Sequence, residues 1–357
     1  MAEGNRVVTV GVDTHKDAHV AAALDASGAL LGTASFPADA RGYASMVAWM
    51  RAFGRVEAAG VEGTGGYGAG LARALDAAGV RVLEVSAPDR SERRRRGKSD
   101  GIDAEQAARA ALAGTRCAPA KSRCAEMGAL GALEAAYAGA VKARTAALNA
   151  LQAQVVALPE EARAPLRGKG SSELVRACAS MRPGAGSSPE TLAKVALRSL
   201  ARRARMLDEE AKGLEAEIDA LTKALAPSTR ALLGAGPHVA ARLLLAAGAN
   251  VSRLRSEASF SMLCGASPVP VSSGRADRHR LSRAGDRRAN SALYTMAITR
   301  MAHDERTRSY VARRMSEGKT KKDAIRCLKR YIAREAYRAL AQDMEALGMS
   351  LGSRLTT

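Results

Sequence analysis

The sequence has few cysteines and no long apolar run. Its five cysteines, Cys117, Cys124, Cys178, Cys264 and Cys327, include no C-x-x-C pair, and their odd number argues against both a disulfide framework and a zinc site. The chain contains no run of about 18 apolar residues, and its start, MAEGNRVV, shows no apolar signal-peptide core. These absences exclude a membrane-spanning class and predict a reducing, cytoplasmic location.

Acidic residues are outnumbered, and aromatic residues are scarce. Fifty-five Lys and Arg stand against 36 Asp and Glu, which gives a net charge of +19. A small domain needs a net charge of only about 2–8 for solubility, so the excess predicts a polyanionic partner, with nucleic acid ahead of an anionic membrane. Because only 3% of residues are aromatic, the chain has few side chains on which nucleic-acid bases could stack. Contact with the phosphates of double-helical or hybrid nucleic acid is the expectation, in a nucleoid-associated prokaryotic protein.

The first hundred residues combine three consecutive strands with alternating helices and strands. Apolar runs bounded by turn residues predict the strands, and helical spacing predicts the helices. This order indicates an α/β domain with a mixed sheet of the ribonuclease H kind. The predicted strands are 6–12, 19–24, 30–36, 57–62 and 80–86, and the predicted helices are 39–53 and 68–79.

The remainder reads as mostly helical. Residues 99–158 are Ala-rich with helical spacing, whereas 165–190 is rich in Gly, Ser and Pro and predicts a loop insertion. Apolar residues then alternate spacings of four and three, which predicts a coiled coil; an amphipathic helix packed on its own domain is the alternative. This heptad seam consists of Leu200, Ala204, Leu207, Ala211, Leu214, Ile218, Leu221 and Leu225.

Gly234-Ala-Gly236 lies between two helical runs in 231–248 and resembles a helix-hairpin-helix, whose backbone amides hold a DNA phosphate. The whole pattern predicts three parts. They are an N-terminal α/β domain at 1–118, a helical coiled-coil connector at 119–228, and a mostly helical C-terminal domain at 229–345.

Four carboxylates are the candidate chemical groups. Asp13 follows the first strand, Glu62 ends the fourth, and Asp100 and Asp103 are three apart, which places them on one helical face. Taken singly, Asp13 is also a turn residue, Glu62 a surface acid, and the Asp pair a capping box. Jointly they match a ribonuclease-H-like site for Mg²⁺ or Mn²⁺, which neutralises charge during phosphodiester cleavage.

The segments GVDTHKD, GVEGTGGYG and RRRRGKSDGIDAEQAARA resemble the DEDD transposases of insertion-sequence family 110, which have a RuvC-like N-terminal domain. The resemblance extends through LLGAGPHVAARLLLAAGAN and SFSMLCGASPVPVSSGRADRHRLSRAGDRRANSALYTMA to the family's C-terminal transposase domain, and covers nearly all of the chain. It implies that Ser273 is a nucleophile, with its neighbour Ser272 as the other candidate. It also implies homo-oligomers, dimeric or tetrameric, a structured noncoding guide RNA, and double-stranded DNA at the element ends and the target.

Two basic clusters flank these candidate centres. One precedes the Asp100 pair and the other surrounds Ser273, and basic helices follow towards the C-terminus, so we expect all of them to hold nucleic-acid backbone. The candidate contacts are Arg93, Arg94, Arg95, Arg96, Lys98, Arg275, Arg280, Arg287, Arg288, Lys321 and Lys322.

The resulting hypothesis is a transposase that cuts and rejoins DNA. Asp13, Glu62, Asp100 and Asp103 bind metal, and Ser273 forms a covalent phosphoserine intermediate that conserves bond energy for rejoining. One alternative is a structure-specific endonuclease for Holliday-like junctions that uses water and not Ser273. A second is a nucleic-acid-binding scaffold with no catalysis.

Overall fold

The computed structural model describes residues 6–85, 99–120, 125–248, 256–270, 279–281 and 285–354. The chain divides into two compact units, Met1–Ser122 and Arg123–Thr357. Within the described ranges, no helix combines the length and apolar character required to cross a membrane.

The first unit is a six-stranded mixed sheet with helices on both faces. The strand order is β3-β2-β1-β4-β5-β6; β4 is parallel to β1 and β5, and the other neighbours are antiparallel. The predicted strands and helices up to residue 85 are all present, with ends shifted by a few residues. The elements are β1 Val7–Thr14, β2 Ala18–Asp25, β3 Leu30–Pro37, α1 Ala40–Ala52, β4 Arg55–Glu62, α2 Ala69–Ala77, β5 Val82–Val85, α3 Asp100–Leu112 and β6 Cys117–Pro119.

The two faces of this sheet are packed by different means. Val8, Val10 and Val12 point to one face and form a core with Met46 and Leu71 of the helices α1 and α2. The opposite face carries the next residues along each strand, including Gly11 and Gly60, and α3 packs there through alanines. The side-chain period of two in a strand thus separates an aliphatic face from a small-residue face.

The second unit is mostly helical. Its elements are α4 Ala125–Val156, α5 Glu160–Arg163, α6 Ser171–Ala179, α7 Pro189–Leu225, α8 Pro227–Arg230, α9 Pro237–Ala247, α10 Glu257–Leu263, β7 Pro268–Pro270, β8 His279–Leu281, α11 Arg287–His303, α12 Glu305–Ser316 and α13 Lys321–Arg354, with a 3₁₀ turn at Ala164–Leu166. Its largest core is formed by α9, α11 and α13 together with the N-terminal end of α4 and the C-terminal end of α7.

The heptad seam packs inside the chain. Leu207 and Ala211 of α7 form a cluster with Ala140 of α4, and Leu197 clusters with Leu151 further along α4, so the two helices are antiparallel. An ion pair between Arg144 and Asp208 joins them as well. The seam therefore packs as the predicted alternative describes, as an amphipathic helix on its own unit, and the pairing of two chains through it stays a prediction.

Two predictions differ in part from the structure. The range 165–190, predicted as a loop, contains α6, whose Leu174 and Cys178 are buried against Leu197 of α7. The range 99–158 is mostly helical as predicted, but it also contains the unpredicted strand β6, whose Ala118 pairs with Glu84. The helix α6 was not predicted because the Gly and Pro residues on either side of this short segment indicate a loop. The strand β6 was not predicted because a three-residue strand carries no periodicity.

A buried charged cluster joins three helices of the second unit. Glu134 of α4 is almost fully buried, and it accepts hydrogen bonds from His238 and from Arg242 of α9, the latter at 3.3 Å. The His238 ring stacks on Tyr137 with centroids 3.9 Å apart, and its Nε2 lies 3.7 Å from Glu215 of α7. Burial favours the neutral carboxyl, but the charges and hydrogen bonds of His238 and Arg242 outweigh it, and the pKa of Glu134 is lowered.

Candidate active site

The site begins where two parallel strands end side by side. Val12 of β1 is paired with Val61 of β4, so Asp13 and Glu62 are the next residues on neighbouring strands. Parallel register directs both side chains to the same face of the sheet. The Thr14 hydroxyl donates a hydrogen bond to the Glu62 backbone oxygen at 2.8 Å, which ties the two strand ends together. The first two predicted acids therefore share one edge of one sheet.

Two glycines determine how close α3 approaches this face. Gly11 and Gly60 are paired in the ladder, and a methyl group on Gly11 would overlap the backbone of Ala104 and Ala108. A methyl group on Gly60 would lie 2.6 Å from the Ala107 backbone oxygen. Because Asp13 and Glu62 follow these glycines by two residues, they lie on the face that α3 covers. Contact with the helix backbone brings the N-terminus of α3 to the acids.

The start of α3 supplies the other two acids. Ser99 is the N-cap, and its side chain accepts a hydrogen bond from the backbone nitrogen of Ile102. The alternative that Asp100 and Asp103 form a capping box is therefore wrong, because Ser99 holds the cap position and Ile102 follows it by three. Asp100 is exposed at the rim of the site, whereas Asp103 is 4% exposed and faces inward. Both carboxylates interact favourably with the positive end of the helix dipole.

His15 completes the cluster and is the residue that sequence reasoning left without a role. Its Nε2 lies 3.1 Å from Asp13 Oδ2 and 3.5 Å from Asp100 Oδ1. The three side chains offer ligand atoms that all lie within 4.8 Å of one another. The available signal was the D-x-H spacing at the end of β1. A lone histidine two residues after an acid, however, does not predict which way its ring turns.

Electrostatics in this cluster favour a cation. Burial raises the pKa of the Asp13 carboxyl, the Asp103 and Asp100 carboxylates raise it further, and His15 opposes the rise. Carboxylates crowded in this way are stabilised by a positive ion among them. Carboxylate oxygens suit Mg²⁺ and Mn²⁺, and an imidazole nitrogen is a better partner for Mn²⁺ or other transition metals. The residues present therefore fit a divalent metal: Asp13 and Asp100 share the cluster with His15, the charge of Asp103 acts on Asp13, and Glu62 ends the strand next to Asp13.

The segment with the proposed nucleophile is bracketed by a small ladder. Strands β7 and β8 are antiparallel with Val269 opposite Arg280, and residues 271–278 connect them, so Ser272, Ser273 and Arg275 lie outside the described residues. The chain segment directly before β7 is held by hydrogen bonds from α11. Asn290 Nδ2 donates to the Cys264 and Gly265 backbone oxygens at 2.8 and 3.0 Å, and Lys329 donates to Asn290 Oδ1 at 2.6 Å.

Cys264 and Lys329 are buried at these contacts and Asn290 is half-buried, an arrangement that was not predicted. Burial raises the pKa of the Cys264 thiol to about 12 and lowers the pKa of Lys329. Gly285 lies so close to Gly265 that a methyl group on it would overlap the Gly265 backbone. The two stems of the serine segment are thus packed directly on each other.

The predicted basic contacts divide into three groups. Arg93, Arg94, Arg95, Arg96 and Lys98 lie outside the described residues, and of Arg280 only the backbone is described. Arg287 and Arg288 are exposed in the first turn of α11, after the N-cap Asp286. Lys321 and Lys322 are exposed at the start of α13. The described members are all solvent-facing, as contacts to a phosphate backbone require.

Comparisons with known proteins match both units. The family model of the DEDD transposases of the IS110 type, described as "Transposase", matches residues 10–158. A second, described as "Transposase IS116/IS110/IS902 family", matches residues 230–312. The chain is also similar to the "Insertion element IS110 uncharacterized 43.6 kDa protein" of Streptomyces coelicolor, with 32% identity over 130 residues. That alignment spans 36% of this chain and 32% of the Streptomyces protein, so the chain spans about a third of the length of that relative.

Proposed function

Because this chain belongs to the IS110 family of insertion-sequence transposases, we propose that it catalyses metal-dependent cleavage and rejoining of DNA strands. The observation that carries the proposal is the meeting of Asp13, His15 and Asp100 at the sheet edge that also bears Glu62, with Asp103 buried beside them. Three segments far apart in sequence carry these acids: the end of β1, the end of β4 and the first turn of α3.

In the proposed site, Asp13, Glu62, Asp100 and Asp103 hold the divalent metal, which when bound neutralises developing charge on the phosphate. His15 orients Asp13 and Asp100 through the two contacts described above. The close packing of α3 on Gly11 and Gly60 keeps Asp103 out of water. We assign this role to a RuvC-like domain at 1–118.

The covalent step is assigned to Ser273 on the strength of the family resemblance. The Ser273 hydroxyl loses its proton and forms a bond to phosphorus. One phosphodiester P–O bond breaks, and the departing oxygen takes up a proton. The DNA end then remains joined to the protein as a phosphoserine, which conserves the bond for rejoining. The C-terminal domain at 229–345 carries this serine, and 119–228 is the helical connector.

The proposed partners are double-stranded DNA, both the element ends and the target, a structured guide RNA, and further copies of the chain. The net charge of +19 and the exposed Arg287, Arg288, Lys321 and Lys322 support a nucleic-acid ligand held through its phosphates. Base pairing with the RNA would supply the sequence reading.

The test combines the purified protein, DNA with the ends of its own element, RNA transcribed from the element flanks, and Mg²⁺ or Mn²⁺. A denaturing gel then separates a protein–DNA adduct from free nicked DNA. We expect the adduct in the wild type, its loss in Ser273→Ala, and a reduction of at least about 100-fold in Asp13→Asn.

The two alternative functions, a nuclease that uses water and a scaffold without catalysis, predict different products on the denaturing gel. Nicked DNA that persists in Ser273→Ala without an adduct identifies a nuclease that uses water and overturns the serine step. Unchanged binding with no cleavage in the wild type and in Asp13→Asn identifies a scaffold. Ser272→Ala serves as the matched control for the neighbouring hydroxyl.

A further inference from the structure

Two tyrosines on consecutive helices meet on the surface of the second unit. Tyr310 of α12 and Tyr331 of α13 pack edge to face with ring centroids 5.6 Å apart. Arg313 lies over the Tyr310 ring at 5.6 Å, and Arg334 lies over the Tyr331 ring at 5.7 Å. In a chain with 3% aromatic residues, this concentration of rings and guanidinium groups is a local surface suited to base stacking.

The pair lines a groove of about 830 Å³, which we call the Tyr310–Tyr331 groove. Its other wall is the turn that contains Leu232 and Leu233, directly before the predicted hairpin glycines. Tyr331 is 51% exposed and Leu233 is 49% exposed, so apolar surface is open to solvent at the mouth. Tyr310, by contrast, is partly buried against the core and fixes the geometry.

The charges in the groove favour an anion. Arg300, Arg306 and Arg313 line it together with two carboxylates, Asp304 and Glu335. Both carboxylates are already engaged. Asp304 accepts a hydrogen bond from the Thr307 backbone nitrogen at 3.0 Å, and Glu335 accepts one from Arg300 at 2.7 Å. Arg306 and Arg313 are both exposed along the groove, and Arg313 also lies 3.9 Å from the exposed Glu317.

We propose that the Tyr310–Tyr331 groove binds an unpaired nucleotide of a nucleic-acid strand, with the base stacked on Tyr331 and the phosphates held by Arg306 and Arg313. Stacking on an aromatic side chain beside arginines is how proteins hold unpaired bases, whereas a paired base in a duplex cannot present its face to a ring. The inference rests on the proposed function for its nucleic-acid ligand, and it adds a single-strand site distant in sequence from the acids and from Ser273.

The test measures binding without catalysis. Labelled 12-nucleotide single strands of RNA and of DNA, and the DNA duplex of the same sequence, are titrated with the full chain in EDTA and followed by fluorescence anisotropy. Tyr331→Leu should weaken single-strand binding roughly ten-fold and leave duplex binding within about two-fold. Tyr331→Phe should restore single-strand binding, because it keeps the ring and removes only the hydroxyl. The RNA and DNA arms tell which strand the groove prefers.

Tyr294→Leu is the matched control, since Tyr294 is 50% exposed on α11 and is not among the groove-lining residues. Equal single-strand affinities for wild type, Tyr331→Leu and Tyr294→Leu would overturn the proposal. So would an equal loss of duplex and single-strand binding in Tyr331→Leu. Photocrosslinking of 5-iodouridine in the single strand should map to the peptides with Tyr331 or Tyr310, and a map elsewhere also counts against the groove.

The outcome is independent of cleavage. If the adduct assay fails while Tyr331→Leu still loses single-strand affinity, the transposase chemistry is wrong and the groove stands. If the adduct forms while the tyrosine variants bind normally, the groove assignment alone is wrong.

Discussion

The two units fix a helix in opposite ways. In the first, α3 lies on the sheet because Gly11 and Gly60 have no side chains, and its alanines touch strand backbone directly. In the second, α4 is joined to α9 through the buried Glu134 and its partners His238 and Arg242. The first contact depends on the absence of side chains at the two glycines. The second depends on charged side chains that are buried away from water.

The difference matters because the two arrangements respond to different changes. Backbone contact is sensitive to any added volume, since packed interiors have no room for a methyl group. A buried ion pair tolerates small changes of shape but not the loss of one charge. The four candidate metal-binding acids lie in the first unit, where the close packing of α3 on the sheet is sensitive to added volume. Substitutions that remove only a charge, or that change only the volume of a side chain, therefore test this difference between the two units.

The largest expected effect is on the buried pair. Glu134→Gln leaves His238 and Arg242 without their carboxylate, and breaking a buried pair in this way destabilises a protein by about 3–5 kcal/mol. Hydrogen exchange of peptides from the second unit should report the loss, while peptides of the first unit stay protected. Glu215→Gln is the control, because the Glu215 side chain is half-exposed and 3.7 Å from His238. An equal loss in both variants would mean that burial of Glu134 is not the cause.

The same pair predicts a pH dependence. The pKa of Glu134 in the folded chain lies below its ordinary value of 4.5, so the folded state favours the ionised carboxylate. Its stabilisation is complete above that ordinary value and is lost as the pH falls through the lowered folded pKa. Stability measured against pH should therefore fall more steeply in the wild type than in Glu134→Gln below this value. If the stability of both proteins falls equally with decreasing pH, Glu134 is not the source of the pH dependence.

A somewhat smaller effect is expected at the seam. Leu207 is buried between α7 and α4, and Leu207→Ala should destabilise the second unit by about 2–4 kcal/mol through the cavity it leaves. The oligomeric mass should not change, because the seam is covered by the chain's own helix. Met206→Ala, one residue away and 59% exposed, should have little effect on stability. A fall in oligomeric mass with Leu207→Ala would mean that the seam pairs chains after all.

Added volume under α3 should have a moderate effect on stability and a larger one on chemistry. Gly11→Ala forces the helix away from β1, which destabilises the first unit by about 1–3 kcal/mol. The displacement also moves Asp100 and Asp103 from Asp13, so metal-dependent cleavage should fall even where the protein stays folded. Gly101→Ala, with no atom within 4 Å of the added carbon, is the control in the same helix. Full cleavage by Gly11→Ala would show that close packing does not position the acids.

The smallest effect should be a gain. Gly139 lies within α4, and a methyl group there meets no atom within 4 Å. Gly139→Ala should stabilise the second unit by about 0.5–1 kcal/mol, because glycine is the less favourable residue in a helix. Thermal unfolding should show a small rise in the transition temperature. Destabilisation would mean that this face of α4 is covered.

Much of the first unit follows from local pattern. Alternation in β1 places Asp13 at a strand end, and the spacing of Asp100 and Asp103 places them on one helix face, so the meeting of the acids could be predicted without knowing their distances. His15 could not, since its role depends on a ring orientation that no periodicity encodes. The sequence alone left the capping-box alternative for Asp100 open, because Ser99 and Asp100 are residue types that cap helices equally well.

The second unit shows where pattern is insufficient. The heptad spacing of Leu207 and Leu214 is the same whether the covering helix comes from this chain or another, so only the fold decides. Tyr310 and Tyr331 are brought together by helix packing, which the composition alone does not indicate. Glu134 in an Ala-rich helix looks like an ordinary surface acid until α9 covers it.

The antiparallel pair of α4 and α7 also acts as a rod. With 32 residues in α4 and 37 in α7, the helices are about 48 and 55 Å long at 1.5 Å per residue. One end of the rod is embedded in the large core, and the other carries α6 and its own small core. A tilt of about 5° at the embedded end therefore displaces the far end by roughly 4 Å over that length. A small adjustment of the core would thus appear at the far end of the helical hairpin as a displacement comparable to the spacing between stacked bases.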